Sequence, residues 1–143
     1  MTEGPLPANL EAFLQAQRVA RLATVDEHSR PHAVPVCFAY ADGVAYVALD
    51  AKPKRVPVRE LRRVRNLIAN SNVQLLVDVW DEDWTKLAHL QLRGVASVLE
   101  AGPEQAAAIR LLRARYVQYV TMPLDDAPVI RIAVTSYVAW GAG

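Results

Sequence analysis

Residues 52–66, KPKRVPVRELRRVRN, concentrate the positive charge of the chain. They include seven of its sixteen basic residues and one acid, a local charge of +6, whereas the rest of the chain carries −5. The seven are Lys52, Lys54, Arg55, Arg59, Arg62, Arg63 and Arg65. Residues of this type and spacing suit a solvated helix face, a nucleic-acid surface, or a pocket for a small phosphorylated ligand.

A nucleic-acid surface is the least favoured of these roles. The pI of 7.9 lies below the value above about 9 that is typical of such domains. Aromatic residues do not alternate with the basic ones as they do in base-stacking platforms. Two lysines on a loop followed by arginines near a helix start favour a small-anion site.

The remaining reactive side chains give no self-sufficient catalytic set. The three histidines form no triad or metal site, and Cys37 suits a small core residue better than a nucleophile. Trp84 and Trp140 suit either core packing or ligand stacking. Catalytic residues therefore stay unassigned, and any redox chemistry would come from a cofactor.

The pattern of apolar and turn residues predicts nine elements that would hold these side chains. They are helix 9–20, strands 18–25, 32–40 and 44–50, helix 57–70, strands 72–80 and 86–100, helix 103–119 and strand 127–140. Short connections between the first three strands predict an antiparallel meander, and Asn9 is a possible helix cap. Strand 72–80 is predicted to be covered on both faces. Six strands with helical crossovers predict a small, closed or partly open antiparallel barrel of class α+β.

Local signals add detail to this scheme. Pro35 predicts an edge strand or a bulge, because proline cannot donate to a ladder, and Gly94 predicts a bulge or bend. Pro57 and Pro103 fit first helical positions. At about 100° per residue, Arg59, Arg62 and Arg63 point away from the apolar arc of helix 57–70, whereas Arg65 projects within it and needs a partner.

Length and composition set the outer limits. A chain of 143 residues with 52% hydrophobic and 22% charged residues predicts one globular domain, residues 1–143. No leader-like start and no long apolar run are visible, so we expect a soluble, cytoplasmic protein without a membrane span. The single cysteine has no internal disulfide partner.

Several ordered motifs resemble one known superfamily. The stretch RLATVDEHSRPHAVPVCF (21–38) is similar to the opening hairpin of the pyridoxamine 5′-phosphate oxidase-like flavin and deazaflavin proteins. KPK followed by LRRVRNLIANSNVQLLVD (61–78) is similar to their helix-to-strand segment. The DEDW turn, the Gly94 strand and the terminal PVIRI…YVAW extend the resemblance over nearly the whole chain. LDAKPK and DEDWTKL look most like the F420-dependent branch.

The resemblance implies a six-stranded split β-barrel that forms a homodimer, with two cofactors in clefts at the subunit interface. The cofactor would be F420, or alternatively FMN, acting on a small-molecule substrate. Lys52, Lys54, Arg63 and Arg65 would line the phosphate end. Pro35 and Val36 would contact the ring through backbone and side chain, and Trp84 and Trp140 would border the substrate cleft. The alternatives to an F420-dependent oxidoreductase are an FMN-dependent oxidoreductase, a non-catalytic flavin or F420 carrier, and, more remotely, a nucleic-acid-binding barrel.

Overall fold

A computed structural model describes residues 2–50 and 60–143 of the chain. The helices are α1 (Ala8–Ala16), α2 (Arg62–Ala69), α3 (Pro103–Arg115) and α4 (Val117–Val120), with a 3₁₀ turn at Trp84–Lys86. The strands are β1 (Thr2–Glu3), β2 (Ala20–Val25), β3 (Pro31–Val36), β4 (Ala39–Ala41), β5 (Val44–Ala48), β6 (Asn72–Val79), β7 (Ala88–Leu99) and β8 (Val129–Trp140). Lys52, Lys54 and Pro57 lie outside the described residues.

The strands form one antiparallel sheet in the order β3-β2-β6-β7-β8-β5-β4, with β1 paired to β8. β3 and β4 stand at opposite ends of this order, although only Cys37 and Phe38 separate them in the chain. Three Cα steps span at most about 11 Å, so the sheet has to curl until its two ends approach each other. The antiparallel α+β barrel expected from the sequence is confirmed.

The predicted meander is wrong at one place, and the described sheet has eight strands instead of six because β1 was not predicted and one predicted strand divides in two. The strand expected over 32–40 divides after Val36, and β3 pairs with β2 while β4 pairs with β5. At the division, the N–H of Phe38 donates to the Tyr116 hydroxyl at 3.1 Å, and Arg115 Nε donates to the Phe38 carbonyl at 2.9 Å. These side chains replace the ladder bonds, which lets the chain cross from one end of the sheet to the other.

Two hydrophobic clusters divide the faces of the curled sheet. Inside the barrel, α1 contributes Leu10 and Leu14 and α2 contributes Val64 and Leu67 to the main core. Outside, α3 and α4 pack over β4, β5 and the first part of β8 in a second cluster that includes Leu112. The four helices therefore close the barrel and cover one part of its outer surface.

Local sequence signals have mixed outcomes. Pro103 opens α3 after Gly102 as predicted, and β3, which contains Pro35, lies at one end of the strand order. Gly94 lies at a register shift between β7 and β8, as predicted for a bulge. Asn9 is not a cap, because α1 begins after Pro7 and Asn9 lies inside the helix.

β6 is not covered on both faces within the protomer. Its burial alternates, with Val73, Leu75 and Val77 in the core and Asp78 on the exposed side. The apolar run NVQLLVDV therefore overstates burial, because Leu76 faces the outer side of the sheet and is only partly covered.

Candidate functional site: an open sheet face and the start of helix α2

The outer face of β3, β2, β6 and β7 is an open surface of the sheet. Its side chains alternate with core residues and belong to neither hydrophobic cluster. Arg21 Nη1 contacts Asp78 Oδ1 at 2.9 Å across β2 and β6. In the part of the chain that the structure describes, the helices pack on other surfaces, so this face is available to a ligand or a second subunit.

One end of this face is aromatic. All three tryptophans of the chain lie there and are largely exposed: Trp80 by 65%, Trp84 by 69% and Trp140 by 55%. Trp80 and Trp84 form an edge-on pair with ring centroids 6.4 Å apart, and His89 stacks against Trp140 at 6.2 Å. Exposed rings of this size are typical of binding surfaces for planar ligands or partner proteins.

His89 has no assigned role in the sequence analysis, and its position comes from strand register. Residues His89 and Asp78 are opposite each other on β7 and β6, and His89 and Trp140 are opposite each other on β7 and β8. Its Nδ1 is buried and has no hydrogen-bond partner. The alternation of β7 predicts an outward-facing residue here, but only the register shows that it meets Trp140.

Pro35 and Val36 occupy different faces of β3. Pro35 is exposed and lies opposite Arg21, on the same open face. The side chain of Val36 is only 9% exposed and belongs to the main core. Val36 can therefore offer its backbone to a ligand, whereas the ring contact by its side chain expected from the sequence does not fit this protomer.

The arginines of α2 face opposite directions, and the helical-wheel prediction is wrong about which one is inward. The buried residues of α2 are Val64, Asn66 and Leu67. At about 100° per residue, Arg63 falls between Asn66 and Leu67, and Arg65 falls on the opposite, exposed side.

Asn66 explains why α2 is turned about its axis relative to the helical-wheel prediction. It is buried because its Nδ2 donates to the buried Thr24 Oγ1 on β2 at 2.9 Å, so a polar residue occupies the inner face. Ile68, an apolar residue of the same helix, is correspondingly 61% exposed.

Arg63 is consequently the arginine of α2 with a buried donor that is not satisfied by any described residue. Its side chain is partly buried, and its Nε is fully buried without an acceptor in residues 2–50 and 60–143. A guanidinium stays charged in proteins, and a buried donor without a partner costs on the order of 1–3 kcal/mol. Such a group suits an anionic ligand with phosphate oxygens, which guanidinium groups bind well.

Arg65 lines a small polar depression of about 220 Å³ between α2 and the β2–β3 turn. Arg62 and Arg30 also line it, with Asp26, Glu27, Asn66 and Ala69. The depression lies at the end of the sheet where β2 finishes, near Val25.

The sequence-predicted site residues do not all meet within one protomer. α2 leads into β6 at Asn72, whereas Trp84 and Trp140 lie beyond the other end of that strand, near Val79. These two ends are roughly 23 Å apart along the strand. Arg63 and Arg65 are thus grouped at one end, and Trp84 and Trp140 at the other.

A second cluster of polar side chains lies on the helix-covered side of the barrel. Glu104 Oε2 accepts hydrogen bonds from the Tyr46 hydroxyl and from Arg131 Nε, both at 2.7 Å. Burial and the hydrogen bond to Glu104 raise the pKa of Tyr46 to about 12. The two hydrogen bonds, that from Tyr46 first, lower the pKa of Glu104. This cluster connects α3 to β5 and β8, and its sequence signal is limited to an acid in the first turn of α3.

Neither a cluster of metal-ligating side chains nor a membrane-spanning helix is present among the described residues. Within 2–50 and 60–143, no group of three or more His, Cys, Asp or Glu side chains is placed to hold a metal ion. None of the helices in these ranges is long and apolar enough to cross a membrane.

Comparison with known proteins identifies the family. The family described as pyridoxamine 5′-phosphate oxidase matches residues 6–141. The chain belongs to this family. No curated protein matches it.

Solved structures share its fold at low sequence identity. The conserved hypothetical protein Rv2991 from Mycobacterium tuberculosis has a TM-score of 0.77 at 18% identity, over 96% of this chain and 86% of that one. The heme storage protein HutZ from Vibrio cholerae has a TM-score of 0.72 at 20% identity, over 98% of both chains. A FAD-binding protein from Mesorhizobium loti has a TM-score of 0.68 at 20% identity, over 94% of both. These similarities establish the split-barrel fold, and the names show that proteins of this fold bind different prosthetic groups.

Proposed function

We propose that this protein is a cytoplasmic oxidoreductase that moves a hydride between the deazaflavin F420 and a small unsaturated or quinone-like substrate. The observation that supports it most is Arg63 at the start of α2, whose buried Nε has no acceptor in the part of the chain that the structure describes. Buried donors in native proteins are nearly always paired. An absent anionic group that reaches Arg63 explains the exception, and family membership favours a cofactor as that group.

The proposed site assigns each residue a binding role. Arg63 and Arg65, with Lys52 and Lys54 from outside the described residues, hold the phosphate end. The exposed edge at Pro35 and the backbone of Val36 face the ring. The bound cofactor supplies the redox chemistry. The chain itself binds and orients it, and the aromatic end with Trp84 and Trp140 shields the reacting atoms from water.

F420 is preferred to FMN because of the number of exposed cations. Arg62 and Arg65 are both exposed and have no ion-pair partner among the described residues. FMN carries a single phosphate, whereas F420 carries a phosphodiester and further carboxylates, which can use more guanidinium groups.

We propose that the open sheet face forms a homodimer interface. Two-fold symmetry pairs the same patch on both subunits. If the paired strands run in opposite directions, the aromatic end of one protomer lies over the α2 end of the other. Such a pairing would bring the two groups of site residues, roughly 23 Å apart in one protomer, to a common cleft.

The dimer can be tested at Leu76, which lies at the centre of this face. We expect Leu76→Arg to convert a dimer to a monomer in analytical ultracentrifugation. Leu111→Arg, on the exposed side of α3, is the matched control and should stay dimeric. A wild-type protein that sediments as a monomer at micromolar concentration would contradict the proposal.

The cofactor can be tested by titration with F420 and with FMN, following quenching of tryptophan fluorescence. We expect tighter binding of F420, and a loss of at least about tenfold in Arg63→Gln, which is 1.4 kcal/mol. Tight binding of FMN alone would show that the cofactor is FMN and not F420. Binding of neither would indicate that the basic segment is a solvated surface.

A non-catalytic carrier is the second candidate. It is favoured because two proteins of the same fold are named for binding or storage, the heme storage protein and the FAD-binding protein. Oxidation of reduced F420 by a panel of quinones separates the two functions. Tight binding without turnover would identify a carrier.

A further inference from the structure

Three arginines line the depression between α2 and the β2–β3 turn. Arg62 and Arg65 come from the helix, and Arg30 comes from the turn. They line a volume of about 220 Å³, which is the size for a small ion or the end group of a larger ligand. Cations from two separate elements that face one small volume suggest an anion as occupant.

Arg30 is held in position by Asp26. Asp26 Oδ1 accepts the backbone N–H groups of His28 and Arg30 at 2.8 and 2.9 Å, and Oδ2 accepts Arg30 Nε at 2.9 Å. These bonds, led by that from the Arg30 backbone, lower the pKa of Asp26. Because Asp26 engages Nε, the terminal nitrogens of Arg30 are left without an acceptor among the described residues.

Arg62 and Arg65 are adjacent on the helix surface. Residues three apart are neighbours, with Cβ atoms about 5–6 Å apart, and both side chains are exposed. Neither forms an ion pair with another described residue, although Asp26 and Glu27 line the same depression. Glu27 instead lies 3.5 Å from His28.

The two elements that carry these cations are fixed to each other. Asn66 of α2 and Thr24 of β2 are both buried and hydrogen-bonded at 2.9 Å. The depression is thus pre-organised, which reduces the ordering cost of binding.

We propose that Arg30, Arg62 and Arg65 form an anion site for phosphate or carboxylate groups, on the opposite side of α2 from Arg63. The site is separate from the proposed contact of Arg63 with the cofactor, and it rests on the proposed function only through Arg62 and Arg65, which were also counted as cations available to F420. The depression is lined by three cations and two acids, and one of these acids, Asp26, is already hydrogen-bonded. This excess of positive charge favours a ligand with at least two negative charges, such as a pyrophosphate or an oligocarboxylate.

The test is isothermal titration calorimetry of the full chain with inorganic pyrophosphate and, in a second arm, with tricarballylate, both at low ionic strength. The pyrophosphate arm reports phosphate chemistry and the tricarballylate arm carboxylate chemistry. We expect saturable binding of at least one. Arg62→Gln/Arg65→Gln and, separately, Arg30→Gln should weaken it by about tenfold or more, equivalent to 1.4 kcal/mol.

Two controls make the outcome decisive. Arg110→Gln removes an exposed arginine of α3 and should leave binding unchanged, so an equal loss there would indicate general charge attraction and overturn the proposal. Arg63→Gln should weaken cofactor binding and spare pyrophosphate. Binding lost in Arg63→Gln but kept in the double variant would assign the anion to the cofactor site and also overturn it. No binding of either probe, with F420 binding intact, would refute this site alone and leave the proposed function standing.

Discussion

Replacement of Arg63 by methionine should stabilise the ligand-free protein while it weakens cofactor binding. Most substitutions of partly buried residues destabilise, so the expected sign is unusual. It follows from the buried Nε of Arg63, for which the described residues supply no acceptor. Methionine keeps an unbranched apolar stem and removes the donor.

The magnitude follows from two opposing effects. An unsatisfied buried donor costs about 1–3 kcal/mol, and its removal returns that amount. The side chain is only partly buried, and methionine leaves some of its packing unfilled, so we expect a net gain of about 1 kcal/mol in the free energy of unfolding. In a chain of this size, that gain corresponds to a rise of roughly 3 °C in Tm.

The assay is urea unfolding of the ligand-free protein, combined with the F420 titration. Arg62→Met is the control, because Arg62 is the exposed neighbour on the same helix, and its unfolding free energy should change by less than about 0.5 kcal/mol. A loss of 1 kcal/mol or more in Arg63→Met would refute the reasoning, since it would show that the guanidinium makes a stabilising contact in the ligand-free chain.

Two further predictions concern the barrel itself. Gly94→Ala should lower the free energy of unfolding by about 1–3 kcal/mol, because an added Cβ would lie 2.5 Å from the Ala133 carbonyl oxygen and 2.7 Å from Ile132 Cγ2; urea unfolding checks this, with Ser97→Ala on the same strand as control. Stability should also fall as the pH rises from about 10 to about 12, because the unfolded chain then ionises tyrosines near 10 while folded Tyr46 holds its proton up to about 12. Tyr46→Phe should lose less stability than the wild type over that range, and an identical pH dependence would contradict this.

Most elements of the fold follow from local sequence signals. Gly102 and Pro103 mark the start of α3 because proline is suited to the first helical position. Pro35 marks an edge strand because it cannot donate in a ladder. These features depend on residues close together in the chain, so short-range chemistry is enough to predict them.

The crossing from β3 to β4 depends on distant residues and could not be read from the local pattern. The segment HAVPVCFAY has strand-forming residues on both sides of Pro35, and Pro35 is compatible with one continuous edge strand, so the local pattern does not place a break after Val36. The backbone of Phe38 is bonded to Tyr116 and Arg115, which lie 78 and 77 positions further along. An interruption that depends on such contacts appears only when the helix that carries them is in place.

The candidate site shows the same limit in α2. The predicted inner face of α2 was defined by apolar residues, whereas the buried Asn66 turns it toward Thr24, 42 positions earlier in the chain, through a hydrogen bond from its amide. This difference reverses the predicted orientations of Arg63 and Arg65. A buried polar pair between elements cannot be recognised from one helix alone.

The opposite orientations of the α2 arginines also bear on whether the basic segment suits nucleic acid or small anions. A nucleic-acid surface requires cations that point together toward one continuous phosphate backbone. Here Asn66 fixes α2 so that Arg63 points inward and Arg62 and Arg65 point outward. Their charges therefore point in separate directions, which fits discrete anionic groups better than a polyanion. The orientation of one short helix, set by one buried hydrogen bond, thus determines which class of ligand the described part of this segment suits.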